Sequence, residues 1–155
     1  MERCYVMVKP VILKEGDKRS QREVREMVKH HIVGEILKAG LTIKMARDVK
    51  YTREAAEAHY HEHEGRGYYE GLVKYITSGL AFGMVVEGDN AISTIRGENF
   101  IKRIRREVPE KFDTFTDTTV NVMHASDCKK SADLECEIFE GLPAVKTTNE
   151  REREI

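Results

Sequence analysis

The residues able to do chemistry gather around one histidine. His124 follows an apolar stretch, residues 118–123 (TTVNVM), and precedes Ala125-Ser126-Asp127. That order puts an imidazole at the end of an expected strand and beside the start of an expected helix. Helix N-termini present free backbone N–H groups and partial positive charge, which favours phosphate. An imidazole so placed can serve as nucleophile or proton carrier. The same position also suits a structural histidine at a strand end. Lys9 closes the first apolar run ahead of Pro10. If the first and last strands are neighbours, Lys9 and His124 share a cleft. Arg96 ends a short expected helix, and Lys102, Arg103, Arg105, Arg106 and Lys111 follow it. Such a cluster suits a polyphosphate better than a base-stacking nucleic-acid surface, although charge runs are commonly solvated. His59 and His63 stand at i and i+4, the spacing of a metal clamp on one helix face. No Cys or acidic residue at matching spacing completes a closed zinc set, so a solvated helix face is expected there.

The whole chain sets the bounds. It has 155 residues, a formal charge of −1 and 40% apolar residues. That is one domain with room for a core, and disorder of the whole chain is excluded. The balanced charge argues against a broad nucleic-acid footprint. No apolar run approaches the roughly 18 residues of a membrane span, and the first ten residues do not read as a signal peptide. Cys4, Cys128 and Cys136 form no CxxC pair and are odd in number. A reduced, cytoplasmic setting is expected.

Positioning these residues requires several elements. Residues 4–8 (CYVMV) are a short buried strand, and residues 11–19 a connecting loop. Ser20 with Glu23 makes a capping box for a helix that runs to Gly40. Residues 42–49 alternate as a half-wet strand. Thr52 caps a polar helix, and a second helix covers residues 69–76. Residues 81–86 are a central strand, and Asp89-Asn90 cap a short helix to Arg96. Residues 97–117 read as a long excursion with one helical turn, the kind of segment that is usually functional. Residues 118–123 are the last strand. Ser126 or Asp127 caps a final helix with Cys128, Ala132, Cys136 and Phe139 on one face. Residues 1–142 form the domain and 143–155 a polar tail. The order fits an α+β, ferredoxin-like split βαβ plan: a four-stranded antiparallel sheet with helices packed on one face.

Four ordered motifs resemble the nucleoside diphosphate kinases, over residues 2–139. They are MVKP at 7–10, HYHEHEGRGYYEGLVKYITSG at 59–79, MVVEGDNAISTIRG at 84–97 and NVMHASD at 121–127. The resemblance implies transfer of the γ-phosphate of an NTP to an NDP through a phosphohistidine, by a ping-pong path. It implies His124 as nucleophile and Glu135 as the acid that fixes its tautomer. Lys9 and Asn121 resemble the pair that reaches the ribose hydroxyl and phosphates, Tyr60 the Tyr beside the γ-phosphate, and Arg96 a phosphate-binding Arg. Tyr68 stands where the family stacks a Phe on the base, and Leu72 lines the same slot. Lys111, ten residues before Asn121, stands where the family has a second phosphate Arg, and Lys102 falls near its phosphate-binding Thr. Mg²⁺ on the nucleotide phosphates and a homo-oligomer, hexamer or tetramer, are implied likewise.

The chain departs from the pattern after Lys9-Pro10, where roughly eleven residues are inserted before the first helix, and again in a poorly matching stretch before Lys111. These departures support an alternative, a nucleotide-binding or regulatory module with weakened catalysis. Two further rivals are a metal protein using His59 and His63 and a nucleic-acid-binding sheet. The last lacks the strand aromatics that such sheets use for stacking.

Overall fold

The computed structural model describes residues 1–145. Its sheet has four antiparallel strands, β1 (Glu2–Val8), β2 (Thr42–Val49), β3 (Ala81–Gly88) and β4 (Met123–Ala125), in the order β2-β3-β1-β4. β1 is therefore central, with β4 beside it, and His124 pairs with Met7. Six helices accompany the sheet: α1 (Gln21–Lys38), α2 (Arg53–His59), α3 (Tyr69–Thr77), α4 (Ala91–Arg96), α5 (Arg103–Phe112) and α6 (Lys129–Gly141). None is long and apolar enough to cross a membrane, among the described residues.

The helices cover both faces of the sheet, not one as expected. The continuous apolar run of β1 has a simple cause: successive side chains point to opposite faces, and both faces are dry. Cys4, Val6 and Val8 enter a core with α1, α4 and α5. Tyr5 and Met7 enter a second core with α2, α3 and α6. In that second core Gly83 leaves room for its neighbours, because a Cβ there would run into the Phe139 ring and lie 2.7 Å from the Tyr5 hydroxyl.

Helix ends follow local chemistry. Ser20 Oγ accepts from Glu23 N–H at 3.4 Å, and Thr52 Oγ1 from Ala55 N–H at 3.0 Å. Gly40, at φ +81°, turns the chain after α1. α6 is capped by Cys128, whose sulfur accepts from Ser131 N–H, rather than by Ser126 or Asp127. Cys128 itself is exposed, while Ala132, Cys136 and Phe139 are buried.

Two segments differ from expectation. The 97–117 excursion is largely helical: a π-type turn over Glu98–Lys102 leads into α5. Ile101, Ile104 and Val108 bury one stripe of it. Residues 118–122 are not strand. Asp117 Oδ1 accepts from the N–H groups of Thr119 (2.8 Å) and Val120 (2.6 Å), which bends the chain into a turn. Pairing with β1 begins only at Met123. The inserted residues 11–19 do not cover the cleft described below. They dock on the C-terminal end of α5, where Arg19 donates to the carbonyls of Phe112 (2.8 Å) and Asp113 (2.9 Å). Of the tail, Ala144 bridges to Val49 and Val145 N–H donates to the Asp48 carbonyl at 3.1 Å. Residues 146–155 lie outside the described part.

Candidate active site

A cleft of about 490 Å³ opens where β1 and β4 end, between α2–α3 on one side and α5–α6 on the other. His124 stands at its base because β4 alternates. Met123 and Ala125 point into the first core, so the imidazole between them faces the other way. Its Nε2 lies 2.7 Å from Glu135 Oε1. Glu135 is the seventh residue of α6, midway along the helix, and is buried. Ser126 holds this carboxylate: its hydroxyl donates to Oε1 at 2.8 Å and accepts from Tyr5 N–H at 3.0 Å. A carboxylate accepts only, so Nε2 carries the proton and Nδ1 keeps a lone pair.

Burial pushes His124 well below the ordinary imidazole range, with the charges of Lys9, Arg105 and Arg96 acting in the same direction. The ring is thus neutral near pH 7. Burial raises the Glu135 pKa. Two arginines grip the backbone on either side of the histidine. Arg105 donates from Nε (3.0 Å) and Nη2 (2.9 Å) to the Met123 carbonyl, and Arg96 Nη1 donates to the Ala125 carbonyl at 3.3 Å. Both also line the cleft, where their positive charge adds to that of Lys9.

Lys9 is 4% exposed, and its Nζ donates to Asn121 Oδ1 at 3.0 Å. Burial, followed by the Arg105 charge, lowers its pKa to about 7. Tyr75 fixes the pair: its hydroxyl bridges the carbonyls of Pro10 (2.8 Å) and Asn121 (3.3 Å). The Tyr60 hydroxyl is buried at the cleft wall and has no hydrogen-bond partner among the described residues. Burying a hydroxyl without a partner is unfavourable, so this donor is set to meet a ligand oxygen. At the mouth Tyr68 is 48% exposed and its hydroxyl meets His63 Nδ1 at 2.9 Å. Leu72, Thr118 and Thr119 complete a slot with it. The Asp117 turn that interrupts the expected strand is what brings Thr118 and Thr119 there.

The structure therefore brings His124, Glu135, Lys9, Tyr60, Tyr68, Leu72 and Arg96 to one cleft, with Asn121 bonded to Lys9 at its edge. Lys102 and Lys111 are not brought there. Lys102 is exposed and pairs with Glu98 at 3.3 Å. Lys111 sits in the last turn of α5 with its Nζ 5.6 Å from the Phe112 ring. The reason is helical: α5 runs through residues 103–112, and the side of it that meets the cleft carries Arg105. Arg105, named from sequence only as one of a cationic cluster, and Ser126, named only as a helix cap, are the site residues whose individual roles sequence reasoning missed. His59 also departs from expectation. It ends α2 and is buried, with its ring centroid 4.5 Å from that of His124, while His63 falls on the next, 3₁₀ turn. The two do not share a helix face.

A cleft with a neutral, tautomerically fixed imidazole, three cations and an unpartnered hydroxyl is suited to moving a phosphoryl group. Comparison with known proteins agrees. The family model described as nucleoside diphosphate kinase matches residues 2–141. A nucleoside diphosphate kinase of Thermoanaerobacter sp. strain X514 is 38% identical over 118 residues, covering 72% of this chain and 87% of that one. One from Listeria monocytogenes is 36% identical over 150 residues, covering 90% and 88%. The structure of a halophilic nucleoside diphosphate kinase from Halobacterium salinarum in complex with CDP superposes with a TM-score of 0.68 at 26% identity, covering 97% of each chain. These matches favour a working kinase over a weakened nucleotide-binding module. The chain belongs to the nucleoside diphosphate kinase family of phosphotransferases.

Proposed function

We propose that His124 carries the phosphoryl group between a nucleoside triphosphate and a nucleoside diphosphate. The observation that supports this best is the 2.7 Å bond from Nε2 to Glu135, which leaves the Nδ1 lone pair in a cleft lined by cations. In the first half-reaction an Nδ1–P bond forms and the bond from the γ-phosphorus to its bridging oxygen breaks. The diphosphate leaves with that electron pair. The ring, now cationic, keeps its Nε2 proton, and Glu135 offsets the charge. In the second half-reaction a terminal oxygen of another diphosphate attacks phosphorus, and Nδ1 recovers its pair. A bound intermediate lets one cleft serve donor and acceptor in turn.

The other roles follow from placement. Lys9, Arg96 and Arg105 offset charge on the phosphate oxygens, which is most of what in-line phosphoryl transfer requires. Tyr60 donates to a phosphate oxygen. Asn121 holds Lys9 in place. Tyr68 and Leu72 pack on the base, and stacking tolerates every base. Among the described residues the one group of three potential metal ligands offers two nitrogens and a single carboxylate. That set does not suit Mg²⁺, which prefers an octahedron of oxygens. Mg²⁺ would instead arrive on the nucleotide, where it would neutralise phosphate charge.

Residues 1–142 are the catalytic unit. The family relationship supports a homo-oligomer, and the free cysteines suit the cytoplasm. Initial rates test the mechanism. Double-reciprocal plots against donor, at several acceptor concentrations, are expected to be parallel. Intersecting lines would replace the covalent intermediate with direct transfer.

A further inference from the structure

His59 has no role in the mechanism above, yet it is the least satisfied polar side chain near the reaction. It is 6% exposed, and neither ring nitrogen has a hydrogen-bond partner among the described residues. Its ring stands nearly edge-on to that of His124, with centroids 4.5 Å apart. One ligand atom each from His59, His124 and Glu135 lie within 4.8 Å of one another. We propose that His59, His124 and Glu135 form a second, inhibitory site for a zinc-class divalent cation at the base of the cleft.

The chemistry selects the ion. Two imidazoles and one carboxylate are borderline ligands that suit Zn²⁺ and Co²⁺ and fit Mg²⁺ poorly. Three protein ligands leave a fourth position open towards the cleft for water, the arrangement of open zinc sites. His59 would supply the ligand whose lone pair now faces no donor. The neighbouring positive charges of Lys9, Arg96 and Arg105 oppose an incoming cation and set a limit on its affinity. This site is distinct from Mg²⁺ carried in on phosphates, because it uses the imidazole itself.

Inhibition follows from proton placement on His124. Coordination through Nδ1 occupies the lone pair directly. Coordination through Nε2 displaces the proton there, and in the neutral ring that proton moves to Nδ1. Either way no lone pair remains to attack phosphorus. The inhibitory consequence rests on His124 being the nucleophile; binding of the ion does not.

The test uses the full-length, untagged, metal-free protein titrated with Co²⁺, followed by visible absorption. One equivalent is expected to bind and to give the intense bands of a four- or five-coordinate nitrogen–oxygen site. Excess Mg²⁺ is expected to leave them unchanged. His59→Gln is expected to weaken Co²⁺ binding at least about tenfold, with circular dichroism confirming that the variant folds. Glu135→Gln serves as the second variant and is expected to act in the same direction. Absence of bands in the unmodified protein, or equal binding by both folded variants, would overturn the site. If Co²⁺ binds as described and phosphoryl transfer is undiminished, the site stands and His124 is not the nucleophile.

Discussion

Glu135 Oε1 lies 2.7 Å from His124 Nε2 and also accepts from the Ser126 hydroxyl at 2.8 Å. That carboxylate decides which ring nitrogen is available, so Glu135 is a positioning residue. Glu135→Ala is expected to lower kcat about 10- to 100-fold while nucleotide Kd changes little. Nitrogen-15 NMR of the His124 ring is expected to show both neutral tautomers in the variant and one in the parent. A single tautomer in both would remove the assigned role.

Lys9 gives a pH dependence with a definite sign. Its pKa is about 7 in the folded protein against an ordinary 10.5. Phosphate binding favours the charged form. Below pH 7 the amine is already charged; above it, binding requires proton uptake. Nucleotide affinity is therefore expected to fall as pH rises above 7, by at most about tenfold per unit, until the pKa of the complex is reached. The unfolded chain binds more protons between pH 7 and 10.5, so the Lys9 contribution to stability rises with pH in that window. Calorimetry at about pH 8 in two buffers of different ionisation enthalpy checks the uptake. Binding heats that agree between the buffers would contradict it.

Arg105 and Lys111 are both cations of α5, and only Arg105 lines the cleft. Arg105→Ala is expected to reduce kcat/KM by about 10²- to 10³-fold, the usual scale for one preorganised charge. Lys111→Ala is expected to stay within about twofold. Comparable losses from the two would return Lys111 to the phosphate site.

Gly83 tests the packing that supports Tyr5, the residue whose backbone N–H holds Ser126. Gly83→Ala pushes a methyl group against Phe139 and the Tyr5 hydroxyl. The expected loss is about 1–3 kcal/mol, read from urea denaturation. Adding Phe139→Leu is expected to recover part of it. A neutral Gly83→Ala would mean that the second core yields easily.

Much of this was legible in the residues themselves. The NVMHASD order singled out His124, although it is the middle residue of β4 rather than the residue after a strand, and Lys9 ahead of Pro10 does share its cleft, as expected. What escaped has identifiable causes. Ile101, Ile104, Val108 and Phe112 are spaced three and four apart, a helix signal that Pro109 and the dense charge concealed. With that helix unread, nothing singled out Arg105 within the cationic cluster as the cleft-facing arginine, and the ten-residue interval to Asn121 pointed to Lys111 instead. TTVNVM has strand-like composition, but Asp117 captures two of its backbone N–H groups, a local competition that propensity does not register. The CYVMV run did announce burial on both faces. The placement of helices on one face missed that implication. Ser126 reads as a helix cap from its position before α6, and only the register of β4 against β1 turns it towards Glu135.

Covalent capture of the phosphoryl group tests the central claim most directly. The protein is incubated with γ-³²P-labelled ATP, without acceptor, and the labelled nitrogen is identified by peptide mapping and NMR. The expected result is acid-labile, base-stable label on Nδ1 of His124, fully discharged by added nucleoside diphosphate, with His124→Asn unlabelled yet still binding nucleotide. Label on another residue, or undiminished labelling of His124→Asn, would contradict the account.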